Sequence, residues 1–363
     1  MLKHLVFLFG ASASILQSPA STSLSSATTE HVSALKNVRV LATGGTIAGS
    51  ASASSPDYRA GVVPIGDILR AVPGLNEIAN VSAEQVANVG SYDMDETLWL
   101  KLLNRVQAAL SDPNVSGVVI THGTDTLEET AYFLSLVLPS SKPVVLVGSM
   151  RPSTATSADG PQNLLDAVRI ASADQAHGRG VLVVMNDTIF EPDSVTKVDV
   201  RRVNAFAAPS RSSIGQVLTD RPVFFGNALD RRAAFSVDAQ KLPRVAIAYA
   251  YSGISYDDIR EAANGANGVV IAGVGAGAFS AGARKAVQEL TSAGIPVVRT
   301  ARQGVGDVWR SEVGDISDAA LGTVAGRELT PPKARILLML ALQSKRSHEE
   351  LQTVFDKFGT GQR

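Results

Sequence analysis

Residues 117–130 read Gly117-Val118-Val119-Ile120-Thr121-His122-Gly123-Thr124-Asp125-Thr126-Leu127-Glu128-Glu129-Thr130. The apolar run Gly117–Ile120 shows no alternation with polar residues, so the strand it predicts is covered on both faces, as in a parallel sheet clothed by helices. Glycine and threonine close that strand, and the acidic turn that follows opens a helix for which Asp125 or Thr126 is the expected cap. The same unit stands earlier, where Val38–Ala42 runs into Thr43-Gly44-Gly45-Thr46-Ile47-Ala48-Gly49. Between the two, Leu98, Leu102, Leu103, Val106 and Leu110 recur at helical spacing and predict a helix over 96–110. Val144–Val147 and Val181–Met185 continue the strand series. A second series, Val245–Tyr249, Val269–Ala272 and Pro296–Val298, ends in an apolar helix from Lys333 to Leu342. The fold class is therefore α/β, with a larger N-terminal domain built on a mainly parallel sheet and a smaller C-terminal α/β domain.

At roughly 150 residues per domain, a chain of 363 residues suits two domains. We divide it into 36–222 and 243–363, joined by a linker over 223–242 that carries Gly226 and the charged run Asp230-Arg231-Arg232. The start, Lys3-His4 followed by an apolar stretch from Leu5 to Leu16 and by Ser18-Pro19-Ala20, reads as a signal peptide over 1–20. A Ser/Thr/Ala-rich lead-in over 21–35 follows, and the expected location is outside the cytoplasm, periplasmic or secreted. With 45% hydrophobic and 18% charged residues the body is globular rather than disordered. A net charge of −1 provides no field for a polyanion or an anionic membrane, so neither nucleic acid nor membrane is expected as a partner. The absence of cysteine excludes disulfides, thiolate nucleophiles, zinc ribbons and iron–sulfur clusters. His4, His31, His122, His177 and His348 form no pair at ligand spacing, so no metal site is expected.

In open α/β sheets ligands bind beyond the carboxyl ends of the strands. Each of the two turns there combines glycine, which admits close backbone approach, with threonine hydroxyls that can attack or donate. Such residues also serve ordinary strand-to-helix turns. Two of them at adjacent sheet positions, however, let Thr46, Thr124 and Asp125 converge on one pocket. A hydroxyl nucleophile needs a base; a lysine or a tyrosine suits, whereas the lone His122 before a glycine turn reads as structural. Gly273-Val-Gly275-Ala-Gly277-Ala278 fits a relaxed dinucleotide fingerprint but lacks an acidic residue ending the next strand. Ser194-Val-Thr-Lys197 has S-x-x-K spacing without the partner motifs that give it meaning, which discounts the serine and keeps the lysine.

At these residues the sequence resembles the bacterial-type, type II L-asparaginases of the asparaginase/glutaminase family. Leu41–Gly49 is similar to the family's first threonine motif, and Ile120–Thr126 with Glu128-Glu129-Thr130 to its second. Met150–Ser153, Ser157–Pro161 and Val184–Thr188 also look like family segments, and the likeness runs from about Val38 to Leu342. The resemblance implies a flavodoxin-like C-terminal domain, no cofactor, and a homotetramer whose sites lie between paired subunits. It assigns Thr46 as nucleophile and Tyr58 as its activating partner. Thr124, Asp125 and Lys197 form a Thr-Lys-Asp group, with Asp125 also binding the substrate α-ammonium. Ser91 matches a residue that binds the α-carboxylate, and Glu312 an acidic residue from the neighbouring subunit.

Two positions depart from the family pattern. Tyr92 replaces the usual Gln or Glu after the serine, and Gly253 stands where Asn is frequent. Both are expected near the α-amino side of the pocket, with the bulk of Tyr92 using the space at Gly253. The implied activity is hydrolysis of L-asparagine to L-aspartate and ammonia through a threonine acyl-enzyme. Its alternatives are a glutaminase-asparaginase that also takes L-glutamine, and an exported amino-acid-binding protein without catalysis.

Overall fold

The computed structural model describes residues 35–51, 58–139, 141–228, 233–237, 241–314 and 317–360. Residues 1–20, read as a signal peptide, and all of the lead-in but Leu35 lie outside them. The larger sheet has eight strands. Five neighbours run parallel, in the spatial order Ala79–Val89, Lys36–Gly44, Val115–Thr121, Val144–Val147 and Val181–Met185. The central apolar runs of the last four are buried, because helices cover both faces. On one face lie Glu96–Ser111 and Leu127–Val137, and on the other Gly160–Ser172.

The sheet then reverses direction. Asn186 and Asp187 both take positive φ, 50° and 60°, and turn the chain into Thr188–Phe190, which pairs antiparallel with Val181–Met185. Gly215–Val217 and Pro222–Phe224 continue this antiparallel arm. The last of these strands straddles the boundary placed at 222, since its hairpin partner anchors it in the first sheet. The strand Ala79–Val89 was not anticipated: it lies at the sheet edge and alternates in burial, so it carries no continuous apolar run.

Strand order fixes where a ligand can enter. From Lys36–Gly44 the chain goes first to one side, at Ala79–Val89, and then to the other, at Val115–Thr121. The two glycine-threonine turns leave the carboxyl ends of adjacent strands at that reversal, the position at which a parallel sheet opens a crevice.

The smaller sheet has four parallel strands in chain order, Val245–Tyr249, Gly268–Gly273, Val297–Ala301 and Thr323–Ala325. Its order contains no reversal and so no crevice of that kind. Tyr256–Ala262 and Ala281–Ser292 cover one face, while Pro331–Ala341 covers the other and packs on Leu127–Val137. One hydrophobic core thereby reaches from Ile120 and Phe133 to Val270 and Leu337. The loop of the relaxed dinucleotide fingerprint closes on itself: Val274 and Ala278 exchange two backbone hydrogen bonds of 2.8 Å, and Gly273 packs against Gly277. Among the described residues no helix is long and apolar enough to cross a membrane.

Candidate active site

The two turns pack against each other through their glycines. A Cβ at Gly45, where φ is +80°, would lie 2.3 Å from the Cα and N of Gly123. Only glycine permits this approach, and it brings the start of the short 3-10 turn Thr46–Ala48 beside the Thr124 turn. Thr46 and Thr124 are both buried.

Lys197 reaches the second turn from the short strand Thr196–Lys197. Its Nζ donates to Thr124 Oγ1 at 3.0 Å and to Asp125 Oδ1 at 2.6 Å. The ion pair joins a largely covered ammonium to a half-exposed carboxylate. Ser91, in the 3-10 turn Ser91–Asp93, accepts from the Asp125 N–H at 3.2 Å and lies 3.4 Å from Asp125 Oδ2. The structure thus brings Thr124, Asp125, Lys197 and Ser91 into one cluster, with Thr46 on the adjoining turn.

These contacts displace the capping expected from the sequence. Thr126 is the N-cap residue of Leu127–Val137, but its hydroxyl donates to Ser91 O at 2.7 Å, and the helix has no side-chain cap. Asp125 is occupied by Lys197 and Ser91.

His122 has a structural part, as its place before a glycine suggests. Gly123 O can only accept, so Nδ1 carries the ring proton and donates to it at 2.7 Å. Nε2 is then an acceptor and takes the Thr130 hydroxyl proton at 2.9 Å, while Thr130 Oγ1 accepts from Trp99 Nε1 at 2.9 Å. Burial pushes the imidazole down to about 4, which keeps it neutral. With the Gly123 carbonyl turned toward the core, peptide planarity turns the Thr124 N–H the opposite way. That N–H has no partner among the described residues. The Gly45 N–H, by contrast, donates to Val89 O at 2.9 Å and is not available to a ligand.

The backbone of Tyr58 lies in the strand Tyr58–Arg59, paired with Ser50–Ala51, and residues 52–57 between them lie outside the described residues. Tyr92 is 73% exposed and its ring folds over Gly90, where a Cβ would come within 2.4 Å of Cζ. A Cβ at Gly253, where φ is +93°, would meet nothing within 4 Å, so within the chain the Tyr92 ring uses the space at Gly90 rather than at Gly253. Glu312 is exposed, two residues beyond Arg310, and makes no described contact with the Thr124 cluster. Its segment is held by the buried pair Arg299–Asp318, whose carboxylate accepts from the Ser311 N–H at 2.7 Å. Ser194 donates to Glu191 O at 3.3 Å and takes no part in the cluster.

Sequence reasoning missed Glu128. Its carboxylate accepts from Thr196 Oγ1 at 2.9 Å and from the Lys197 N–H at 2.6 Å, a contact between segments 69 residues apart. An acidic residue in a first helical turn is ordinary, and nothing in the sequence signals its distant partner.

The comparisons agree with this architecture. Residues 37–230 match the family model of the asparaginase N-terminal domain, and residues 244–355 that of the glutaminase/asparaginase C-terminal domain. The chain is 43% identical over 343 residues to L-asparaginase 2 of Bacillus subtilis, covering 92% of this chain and 90% of that protein. It is 41% identical to the glutaminase-asparaginase of Pseudomonas fluorescens, covering 88% and 90% of the two chains. The crystal structure of a probable cytoplasmic L-asparaginase from Campylobacter jejuni matches with a TM-score of 0.84 and 39% identity, over 89% of this chain and 99% of that one. The last match overturns the assignment of this chain as exported: a probable cytoplasmic protein shares the fold and the sequence over nearly its whole length, so the resemblance does not carry a compartment. Two consecutive family models and relatives at about 40% identity over most of their length place the chain in one group: it belongs to the asparaginase/glutaminase family.

Proposed function

We propose that the protein hydrolyses the side-chain amide of L-asparagine to L-aspartate and ammonia through a threonine acyl-enzyme, without a cofactor. The observation that carries this reading is the Thr124–Lys197–Asp125 cluster beside the Thr46 turn at the strand-order reversal. Thr46 Oγ attacks the amide carbon, its proton passes to the departing nitrogen, and ammonia leaves an acyl-threonine. Water then adds to that ester, and collapse releases aspartate and restores the hydroxyl. Lys197 moves protons through Thr124, and Tyr58 assists Thr46. The Thr124 N–H, turned from the core by the His122 contact, stabilises the oxyanion, at a typical worth of about 3 kcal/mol per well-aimed donor.

Ser91 takes the substrate α-carboxylate and Asp125 its α-ammonium, with Tyr92 bordering that side. Glu312 of a second copy completes the α-ammonium site, within a homotetramer. Its exposure beside Val313, 78% exposed, and Trp309, 60% exposed, supports a surface that another chain covers.

Glutamine is a second substrate on this reading. A relative at 41% identity is a glutaminase-asparaginase, and one methylene changes discrimination by only about 1–3 kcal/mol. Ammonia release from asparagine and glutamine, measured side by side on wild type, Thr46→Ala and Thr124→Val, tests the proposal. Both variants are expected to lose several orders of magnitude in turnover while remaining folded. Near-normal release by Thr46→Ala would exclude the mechanism.

A further inference from the structure

Lys197 is poorly held by the sheets. Its strand is two residues long and, among the described residues, pairs only with Phe206–Ala207, outside the eight-stranded sheet. A lysine also carries four rotatable methylenes, so its ammonium wanders unless its backbone end is fixed. The structure supplies two fixings. Lys333, buried on the helix Pro331–Ala341, donates to the carbonyls of Asp193 and Val195 and secures the loop that leads into the strand. Glu128 grips the strand itself, one oxygen on the Thr196 hydroxyl and the other on the Lys197 N–H.

We infer that Glu128 is a positioning residue that sets Lys197 against Thr124 and Asp125, an inference that rests on the proton-relay reading of Lys197. Glu128 lies four residues beyond Thr124 and three beyond Asp125, in the first turn of Leu127–Val137. One short stretch of chain therefore carries both targets of the ammonium and the anchor of its backbone. Distances of 3.0 Å to Thr124 and 2.6 Å to Asp125 are set locally rather than through the whole domain. The carboxylate suits the place because both partners donate and each of its oxygens accepts. A glutamine can keep both contacts, its carbonyl oxygen on the Lys197 N–H and its NH2 on the Thr196 hydroxyl, which also accepts, so the grip is removed by Glu128→Ala and not by Glu128→Gln.

The test is a double-mutant cycle on the full-length protein, read as kcat and KM for ammonia release from asparagine. Glu128→Gln, which keeps both contacts, is expected to stay near wild type, whereas Glu128→Ala is expected to lower kcat by about ten- to a hundredfold, in line with the cost of misplacing a catalytic group by about 1 Å, with KM changed less than about threefold. In a Lys197→Met background Glu128→Ala is expected to have no further effect, because there is no ammonium left to place. Thr196→Val removes one of the two contacts and is expected to lower kcat severalfold in wild type and not in Lys197→Met, which keeps the test open if Glu128→Ala does not fold. Full turnover by folded Glu128→Ala would overturn the inference, as would an equal loss in both backgrounds, which marks a purely structural part. Near-normal turnover by Lys197→Met would instead remove the relay itself, a failure of the functional reading that is told apart from failure of Glu128.

Discussion

Gly45→Ala is the perturbation that the structure constrains most tightly. The alanine Cβ would sit 2.3 Å from backbone atoms of Gly123, and carbon contacts settle near 3.5 Å or beyond, so the turns must part by about 1 Å. Neither turn offers a flexible side chain to yield instead. Gly45 also holds φ +80° and ψ −170°, a region essentially reserved for glycine and worth about 1–3 kcal/mol of strain to alanine. Adding the strain to an overpacking cost of about 1–3 kcal/mol gives a loss of roughly 2–6 kcal/mol in unfolding free energy. A 1 Å displacement of Thr46 from Thr124 costs roughly a hundredfold in turnover. Urea unfolding and ammonia release at 25 °C measure the two effects separately. Gly226→Ala is the control, since a Cβ there meets nothing within 4 Å and its φ is not positive. The reasoning fails if Gly45→Ala matches Gly226→Ala in stability and stays within twofold of wild type in kcat.

Gly123→Ala should strain the same packing from the other side, because its Cβ would lie 2.7 Å from Ser91 Oγ, 2.8 Å from Ser91 Cβ and 3.1 Å from the Gly45 Cα, and turning the serine hydroxyl clears only the first. Stability is expected to fall less than in Gly45→Ala, since φ at Gly123 is not positive, while KM for asparagine rises about two- to tenfold, the worth of one neutral hydrogen bond; an unchanged KM would place Ser91 away from the substrate. A buried imidazole and a half-buried carboxyl give opposite pH signatures in urea unfolding. The unfolded imidazole of His122 binds a proton near 6.5 and the folded one only near 4, so wild type loses up to about 3 kcal/mol, relative to a His122→Asn variant, as pH falls through that window. Burial pushes Glu129 up to about 7 while its unfolded carboxyl titrates near 4.5, so Glu129→Gln should gain stability over wild type as pH rises from 4.5 through 7; a difference independent of pH would refute either assignment. Co-expression of Thr46→Ala with Glu312→Ala should restore partial activity in mixed oligomers if Glu312 completes a neighbour's site, and a fully active monomer would contradict that arrangement.

The parts of the molecule legible in the sequence are those that local physics dictates. Val144–Val147 and Val181–Met185 appear with the bounds their apolar runs suggest, since a strand buried on both faces has no polar residues, and Val245–Tyr249 does so at a sheet edge with Ile247 and Tyr249 exposed. The helix expected over 96–110 forms as Glu96–Ser111, capped by Asp95. What escaped was set by pairing rather than by composition. The edge strand Ala79–Val89 needs a covering on one side only, and the antiparallel arm beyond Met185 depends on two residues at positive φ. The same holds in the site. Thr124 and Asp125 announce themselves by their motif, whereas the contact of Glu128 with Lys197, and the chain from Trp99 through Thr130 to His122, exist only once distant segments have met.

The uncapped start of Leu127–Val137 shows the logic that joins these observations. A helix opened by Asp125-Thr126 ordinarily uses one of those side chains on its own first N–H groups, at a gain of about 1 kcal/mol. Here Thr126 is committed to the Ser91 carbonyl and Asp125 to Lys197, so the local rule is broken at both positions at once. A local rule broken twice within the turn that holds Thr124 is what a site does when its side chains are needed elsewhere. The helix is held instead by burial: Leu127, Ala131, Tyr132, Phe133 and Leu134 are fully enclosed, and at about 1.5–3 kcal/mol for each large apolar side chain this outweighs the missing cap. Burial of the helix thus releases its cap residues for contacts with Ser91 and Lys197, and the same core that joins the two sheets holds Thr124, Asp125 and Glu128 at fixed spacing beside the Thr46 turn.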